Sequence, residues 1–270
     1  MSDVSARLNT QVRIVGAGLL GSSLGLALRA KGIDVVIASQ SERSVALAEQ
    51  LGAGRPASPS DTPGLIVVCV PPDITADIIE RELAAFPDAI VTDVASVKLA
   101  IEAELEALGA DLSRFVGSHP MAGRERGGAI SGRADLFVGR PWVIAANPKS
   151  SAGALALVED LALDLEAAPI ASDAASHDRA VALVSHVPQL VSSLLAARLV
   201  EAELSDVALA GQGLRDTTRI AASDPKLWLQ ILGANSAEVA AVLKDFATDL
   251  DQVVAALEDV SAKGSLATLG

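Results

Sequence analysis

The chain has 270 residues, half of them hydrophobic and a fifth charged, with a formal net charge of −13. This acidity argues against a nucleic-acid partner, because phosphate binding needs a basic surface, and three histidines without metal-ligand spacing argue against a zinc site. The absence of tyrosine excludes the Tyr/Lys catalytic pair of short-chain dehydrogenases, and Cys69 as the sole cysteine excludes an intramolecular disulfide. Because we find neither a run of about 18 uncharged apolar residues nor an apolar signal sequence, we expect no membrane partner and predict a cytoplasmic protein.

Over residues 1–172, short apolar runs rich in β-formers alternate with helical patterns, which predicts an α/β domain with a parallel sheet and crossover helices. The run at 65–70 is continuously apolar, as expected for a strand covered on both faces. Predicted strands occupy 12–15, 35–38, 65–70, 89–94, 115–117, 142–146 and 169–171, and predicted helices occupy 19–31, 97–108 and 151–166.

Residues 173–270 show only helical periodicity, with predicted helices at 174–200, 205–221, 225–232 and 236–257. We therefore predict a second, all-helical domain that binds substrate or forms a dimer.

A G-x-G-x-x-G motif, Gly16 to Gly21, directly follows the first strand and opens the first helix. Glycines at this spacing allow a tight turn, close approach of a pyrophosphate and helix–strand packing, whereas the alternative is a glycine-rich packing turn. The context predicts a Rossmann-like dinucleotide site. Its predicted cofactor-binding residues are Gly16, Gly18, Leu19, Leu20, Gly21, Val70 and Ser96.

The end of the second strand decides between NAD and NADP. NAD enzymes usually carry an acidic residue there for the ribose 2′-hydroxyl, but this chain has the neutral Ser39, followed by Gln40, Ser41 and Arg43. Ser41 and Arg43 could bind a 2′-phosphate, so NADP is favoured over NAD. The alternative is that Ser41 only caps the next helix and Arg43 is solvated.

Two polar residues follow predicted strands at the carboxyl edge of the sheet, where ligands of such sheets bind. Ser96 is a candidate site residue, although from spacing alone a plain helix N-cap explains it better. His119 is predicted in a glycine-rich loop that leaves a strand, and its position leaves a catalytic and a structural role equally open.

In the helical half, His177 and His186 are nine residues apart, about 900° on a continuous helix, so they are not expected to face one site. Ser185 and Gln189 share a face beside His186. Arg215 and Arg219, four residues apart, form a positive patch followed by Trp228, for which the alternative is a solvated face and a core tryptophan.

A rival motif, Gly21-Ser22-Ser23-Leu24-Gly25, matches the G-x-S-x-G of serine hydrolases. Such a serine must lie on the turn between strand and helix, and Ser23 is predicted inside the helix. We therefore reject a hydrolase.

Five segments in order resemble the prephenate/arogenate dehydrogenase family: GAGLLGSS from Gly16, TDVASVK around Ser96, GSHPMAGRE around His119, SHDRAVALVSHVP up to Pro188 and LRDTTRIAASDPKLW up to Trp228. The family oxidises a cyclohexadienyl alcohol with NAD(P), and the ring carboxyl leaves as CO2. The resemblance implies prephenate or L-arogenate as substrate, in tyrosine biosynthesis. It also implies an active site in the cleft between the domains and a homodimer formed through the helical half.

The resemblance implies that His119 is the base that takes the proton of the ring hydroxyl. It implies that Ser96 hydrogen-bonds the substrate hydroxyl or orients His119, and that Arg219 binds a carboxylate of the substrate. It gives supporting substrate-binding roles to Glu125, Ser185, His186, Arg215 and Trp228. Gln189 stands where many prephenate-using relatives have a second histidine. Because an amide oxygen can accept from the ammonium group of arogenate, we expect a preference for arogenate together with NADP.

Two other classes compete with this interpretation. A β-hydroxyacid dehydrogenase shares the two-domain plan but requires a catalytic lysine in the helical half. The candidates Lys226 and Lys244 lack the G-x-x-x-K context of that lysine. A non-catalytic NADP-binding sensor would keep the glycines without requiring His119 and Arg219.

Overall fold

The computed structural model describes residues 6–123 and 127–263, which cluster by contacts into two compact units. The first comprises 6–178 and 222–234, and the second comprises 179–221 and 235–263. The segment 222–234 thus groups with the first unit, whereas the sequence predicts one boundary, between residues 172 and 173.

The first unit contains one eight-stranded sheet whose strands lie in the order β3-β2-β1-β4-β5-β6-β7-β8. β1 and β2 pair in parallel with Val12 opposite Val35, and β1 and β4 with Val12 opposite Leu65. The strands are β1 Val12–Val15, β2 Val35–Ala38, β3 Arg55–Pro56, β4 Leu65–Val68, β5 Ile90–Asp93, β6 Phe115–Pro120, β7 Pro141–Ala145 and β8 Ala168–Ser172.

Helices cover both faces of this sheet, which explains the continuous apolar run in β4. Leu65 and Val67 pack in one buried cluster, and Ile66 and Val68 in the other, because successive side chains of a strand point to opposite faces. The predicted α/β class is confirmed. The helices before residue 173 are α1 Leu19–Ala30, α2 Glu42–Gln50, α3 Thr75–Ala85, α4 Leu99–Ala107 and α5 Ala152–Asp164.

The expectation of a wholly parallel sheet is wrong at one position, because β7 runs antiparallel to β6. Parallel neighbours need a crossover connection, usually a helix, whereas antiparallel neighbours do not. Between β6 and β7 the described residues contain only a short 3-10 helix, Ala129–Ser131, so the chain returns without a crossover helix.

Both outermost strands carry a proline. Directly after β3, the amide of Ala57 donates to the oxygen of Ile37 (2.9 Å), and in β8 the amide of Ala168 donates to the oxygen of Arg140 (2.8 Å). Amide direction alternates along a strand, so the nitrogens of Pro56 and Pro169 face away from the sheet. These outward positions therefore hold no N–H donor.

The later elements are helical, as predicted, but the helices are more divided than the sequence indicates. The predicted helix 174–200 contains a π-helical turn, Ala182–His186, and Gly211 precedes α9 where one helix 205–221 is predicted. The helices are α6 Ala174–Val181, α7 Val187–Arg198, α8 Leu204–Val207, α9 Gln212–Thr218, α10 Pro225–Ala234 and α11 Ser236–Lys263, with a 3-10 helix at Arg219–Ala222.

The second unit exposes many large apolar side chains. On α11, Phe246, Leu250 and Leu257 are 42–53% exposed.

The helical run Ala174–Arg198 is long and apolar enough to cross a membrane by length and composition. It also carries buried polar side chains: His186 contacts Asn235, and Ser192 donates to the oxygen of Thr217. Such partners are typical of a core helix in a folded protein.

Candidate active site

The glycine turn after β1 depends on glycine at two positions and leaves a third one open. Gly16 has φ +116°, and a Cβ there would lie 2.2 Å from the carbonyl oxygen of Cys69. A Cβ on Gly21 would lie 1.9 Å from the oxygen of Gly16, so Gly21 permits the close packing of α1 on the turn. A Cβ on Gly18, the N-cap of α1, would meet no described heavy atom within 4 Å.

This geometry fits the pyrophosphate of a dinucleotide. The order β3-β2-β1-β4-β5-β6 reverses direction between β1 and β4, and ligands of such sheets bind in the crevice at that point. No described side chain caps α1, so its first amides and its dipole can favour an anion. Half-buried Leu19 and Leu20 lie in the first turn, and half-buried Val70 follows β4.

At the end of β2, Ser41 is a helix cap, and Arg43 is an exposed arginine. Ser41 caps α2, since its Oγ accepts from the amide of Ser44 (3.2 Å), and Ser39 Oγ accepts from the amide of Ser41 (3.3 Å). Gln40 and Arg43 are exposed, and Arg43 forms no ion pair with any described residue. Ser39 therefore replaces the acidic residue that would bind the ribose 2′-hydroxyl of NAD.

A buried ion pair shapes the turn after β5. Asp93 Oδ1 accepts from the amide of Ala95 (2.7 Å) and from Lys98 Nζ, and both side chains are buried. Burial lowers the pKa of Lys98, and the charge of Asp93 partly opposes that effect. The pair fixes both ends of the turn that carries Ser96.

Ser96 is not the N-cap of α4, so the structural alternative for this residue is wrong. The N-cap is Lys98, and the carboxylate of Asp178 accepts from the amides of Lys98 (2.9 Å) and Leu99 (3.0 Å). Half-buried Ser96 makes no hydrogen bond to another described residue, so its hydroxyl is available to a ligand.

His119 lies within β6, opposite Val143 of β7, and not in the predicted loop beyond a strand that ends at 117. The residues next to His119 in the sequence lack the apolar pattern that predicts a strand. One of them, Ser118, nevertheless links β6 to β5, because its hydroxyl donates to the carbonyl oxygen of Asp93 (2.7 Å). β5 and β6 are neighbours, so His119 and the turn that carries Ser96 belong to adjacent strand ends at the carboxyl edge of β5.

The imidazole of His119 is part of a buried chain of polar groups that sequence reasoning missed. Its Nδ1 lies 2.9 Å from Nε2 of His177, and Nδ1 of His177 lies 2.7 Å from Oδ1 of Asp178. All three residues are at most 8% exposed. The available signal was the His-Asp dipeptide at 177–178, but the sequence does not indicate its partner 58 residues earlier.

Five of the predicted substrate-binding residues lie in the second unit. His186 is buried, with Nδ1 3.2 Å from Nδ2 of Asn235. Gln189 is also buried, and its Nε2 donates to the carbonyl oxygen of Ile220 (3.0 Å) and more weakly to Ser193 Oγ (3.4 Å). This bond holds the 3-10 segment that begins at Arg219.

The sequence predicts one continuous helix for Arg215 and Arg219, and this is wrong. Arg215 lies in α9, and Arg219 begins the 3-10 helix. Both arginines are exposed, and Ser185 is half-buried in the π-helical turn. Trp228, in the first unit, packs half-buried against the apolar cluster that contains Ile66 and Val68. Glu125 lies outside the described residues.

The hydrolase motif does not form a nucleophile turn. Ser23 is fully buried inside α1, where its Oγ donates to the carbonyl oxygen of Leu19 (2.8 Å) and accepts from the amide of Arg133 (3.0 Å).

The strand order, the glycine turn and the uncapped helix N-terminus define a dinucleotide-binding α/β protein of the Rossmann class. Family models agree at both ends of the chain: residues 24–171 match "Prephenate dehydrogenase, nucleotide-binding domain", and residues 173–269 match "Prephenate dehydrogenase, dimerization domain".

Individual relatives agree as well. The chain is 38% identical to the probable prephenate dehydrogenase NovF of Streptomyces niveus over 94% of this chain and 71% of that protein. A crystal structure of Aquifex aeolicus prephenate dehydrogenase with hydroxyphenyl propionate and NAD+ superposes with a TM-score of 0.85 at 26% identity, covering 95% and 93% of the two chains. Synechocystis arogenate dehydrogenase gives a TM-score of 0.77 at 28% identity, covering 93% of each chain.

The chain belongs to the prephenate dehydrogenase family, and it is a nicotinamide-dependent dehydrogenase.

Proposed function

We propose that the protein catalyses the oxidative decarboxylation of a cyclohexadienyl alcohol, with L-arogenate and NADP preferred over prephenate and NAD. The observation that carries the chemistry is His119, a buried imidazole on the strand beside the turn that carries Ser96. A neutral imidazole suits a general base near neutral pH.

In the proposed reaction, His119 takes the proton of the ring 4-hydroxyl as the carbon–oxygen double bond forms. The bound nicotinamide supplies the hydride acceptor. The bond to the ring carboxylate then breaks and CO2 leaves. The electron pair of that bond makes the ring aromatic, and the former carbonyl oxygen takes up a proton to become the phenol. Ser96 hydrogen-bonds the substrate hydroxyl, a role that its unused Oγ supports.

The remaining predicted residues bind the substrate anion. Arg219 binds a carboxylate, since a planar guanidinium offers two parallel donors. Arg215, Ser185, His186 and Trp228 support binding, and Glu125 is proposed from the sequence alone. A local cationic group is needed because the net charge of −13 repels an anionic substrate.

The preference for NADP rests on the end of β2. Ser39 places no carboxylate at the position that would face a 2′-phosphate, and exposed Arg43 has no ion pair to give up among the described residues. Because Ser41 already caps α2, we assign the phosphate contact mainly to Arg43.

The preference for arogenate rests on Gln189. Its amide nitrogen is directed at the carbonyl oxygen of Ile220, which fixes the orientation of the amide group. Its Oε1 accepts no hydrogen bond from the described residues, so the group left for a ligand is an acceptor. The ammonium group of arogenate is a donor, whereas the keto group of prephenate is not.

A matrix of two substrates and two cofactors, followed by nicotinamide absorbance, tests the proposal. We expect the highest kcat/KM for arogenate with NADP. In the same assay, His119→Asn should lower kcat by about 10²- to 10⁴-fold while NADP still binds. Unchanged turnover in that variant would refute the catalytic role, and a clear preference for prephenate with NAD would refute only the specificity.

We also propose a cytoplasmic homodimer formed by the helical half. Exposed apolar side chains on α11, such as Phe246 and Leu250, support this assembly. Light scattering of the purified protein distinguishes a dimer from a monomer.

A further inference from the structure

We infer that His177 and Asp178 are positioning residues that determine which ring nitrogen of His119 carries the proton. The inference rests on the proposed function, in which His119 is the base. It starts from the buried chain His119 Nδ1, His177 Nε2, His177 Nδ1 and Asp178 Oδ1, with separations of 2.9 and 2.7 Å at its two hydrogen bonds.

Asp178 anchors the chain as an acceptor. Its two oxygens face the amides of Lys98 and Leu99, which can only donate, and Oδ1 also faces Nδ1 of His177. An ionised carboxylate accepts all three bonds, whereas a protonated one would direct a hydrogen at a donor or lose an acceptor site. The start of α4 and the charge of Lys98 stabilise this buried anion.

The anion then fixes both imidazoles in turn. His177 must place its proton on Nδ1 to donate to Asp178, which leaves the lone pair on its Nε2. Nδ1 of His119 faces that lone pair and must therefore carry a proton itself. The lone pair of neutral His119 is consequently on Nε2, and Nε2 is the atom that takes the substrate proton.

The same chain stabilises His119 after the proton arrives. The new positive charge strengthens the bond from Nδ1–H to His177, and the charge of Asp178 acts on the imidazolium through that ring. Because all three residues are buried, water screens this interaction little. The arrangement follows the logic by which a carboxylate orients the histidine of a Ser-His-Asp triad.

The tautomers can be measured without activity, because the chain contains only three histidines. We would record two-bond ¹H–¹⁵N spectra of the full-length protein with ¹⁵N-histidine at about pH 8, above the ordinary imidazole pKa of about 6.5. His119→Asn and His177→Asn would assign the signals. We expect His119 and His177 as Nδ1–H tautomers. A Nε2–H tautomer at His119, or a cationic His177, overturns the inference.

Two substitutions of His177 give a matched kinetic test. The Oε1 of glutamine can occupy the place of Nε2 and accept from His119, whereas the shorter asparagine reaches only the place of Nδ1. We expect kcat of His177→Gln within about fivefold of wild type and kcat of His177→Asn about 10- to 100-fold lower, with KM changed less than about threefold. Equal kcat in both variants, at equal melting temperature, contradicts the positioning role.

Asp178→Asn tests the anchor. An amide directed at His177 would reverse both tautomers, a change that lowers kcat about 10⁴-fold in serine-protease triads. We expect a loss of at least about 10²-fold together with a Nε2–H signal at His119. If this variant does not fold, the wild-type spectrum still decides. An inactive His119→Asn beside fully active variants of His177 and Asp178 would refute this inference alone, whereas an active His119→Asn would refute the proposed function.

Discussion

Replacing Gly18 with alanine should weaken NADP binding and leave the folded protein intact, whereas the same change at Gly21 should destabilise the fold. At Gly18 the added Cβ meets no described atom within 4 Å, and φ of −85° suits any L-residue. Alanine gains about 0.4–1 kcal/mol through the unfolded state and loses a similar amount as a poorer N-cap. The net change in folding free energy should therefore be close to zero.

At Gly21 the added Cβ would lie 1.9 Å from the carbonyl oxygen of Gly16, although real Cβ contacts essentially never fall below 3.0 Å. The two segments would have to separate by about 1.1 Å, the difference between those distances. Such a shift between a strand end and a helix start should cost more than about 4 kcal/mol.

The affinity for NADP should separate the two positions in the opposite sense to stability, because the main effect of Gly18→Ala should be on binding. The open space at Gly18 is where the pyrophosphate approaches the backbone, so a methyl group there should weaken binding about 10- to 100-fold, or about 1.4–2.7 kcal/mol. Tryptophan-fluorescence titration measures Kd, and thermal unfolding measures stability. Gly153→Ala, an exposed glycine of α5 with open space around it, controls for the substitution itself. Gly18→Ala binding NADP within twofold of wild type would refute the assignment of this turn.

Three further predictions concern charge and hydrogen bonding. Arg43→Ala should lower kcat/KM for NADP about tenfold and leave NAD unchanged, with the exposed Arg29→Ala as a charge-matched control. Gln189→His should lower the ratio of arogenate to prephenate kcat/KM about tenfold, because a protonated imidazole would repel the ammonium group. Lys98→Met should cost about 3–5 kcal/mol in urea unfolding, since Asp93 stays buried without its cation, and the double variant with Asp93→Asn should recover most of that loss.

Each of these three predictions has an outcome that would contradict it. Equal losses with NADP and NAD would remove Arg43 from the phosphate contact. An unchanged substrate ratio in Gln189→His would mean that specificity lies elsewhere. Additive losses for Lys98 and Asp93 would show that the two side chains do not stabilise each other.

Most of the dinucleotide-binding fold can be predicted from the sequence. Strands β1 and β2 were predicted with their observed bounds, because their residues are apolar and glycine marks the turn after β1. The strong signals are local ones: a buried strand is apolar along its length, and a tight turn requires glycine.

The parts that escaped prediction depend on distant partners. His119 was predicted beyond its strand because Gly-Ser-His-Pro has little β-character, and pairing with β7 extends β6 over it. Ser96 looked like a cap because the true capping group, Asp178, is 82 residues further along the chain. The link between His119 and His177 could not be predicted, since no local periodicity relates a residue of β6 to a residue of α6 that it meets only in the folded protein.

The prolines in the two outermost strands also limit how the protein can self-associate. An incoming strand would meet a missing donor at Pro56 on one side and at Pro169 on the other, so neither margin offers a complete ladder to a second chain. Growth of the sheet from copy to copy, a common start of aggregation, is disfavoured at both margins. Pairing at the sheet edges therefore does not compete with the dimer that we propose for the helical half.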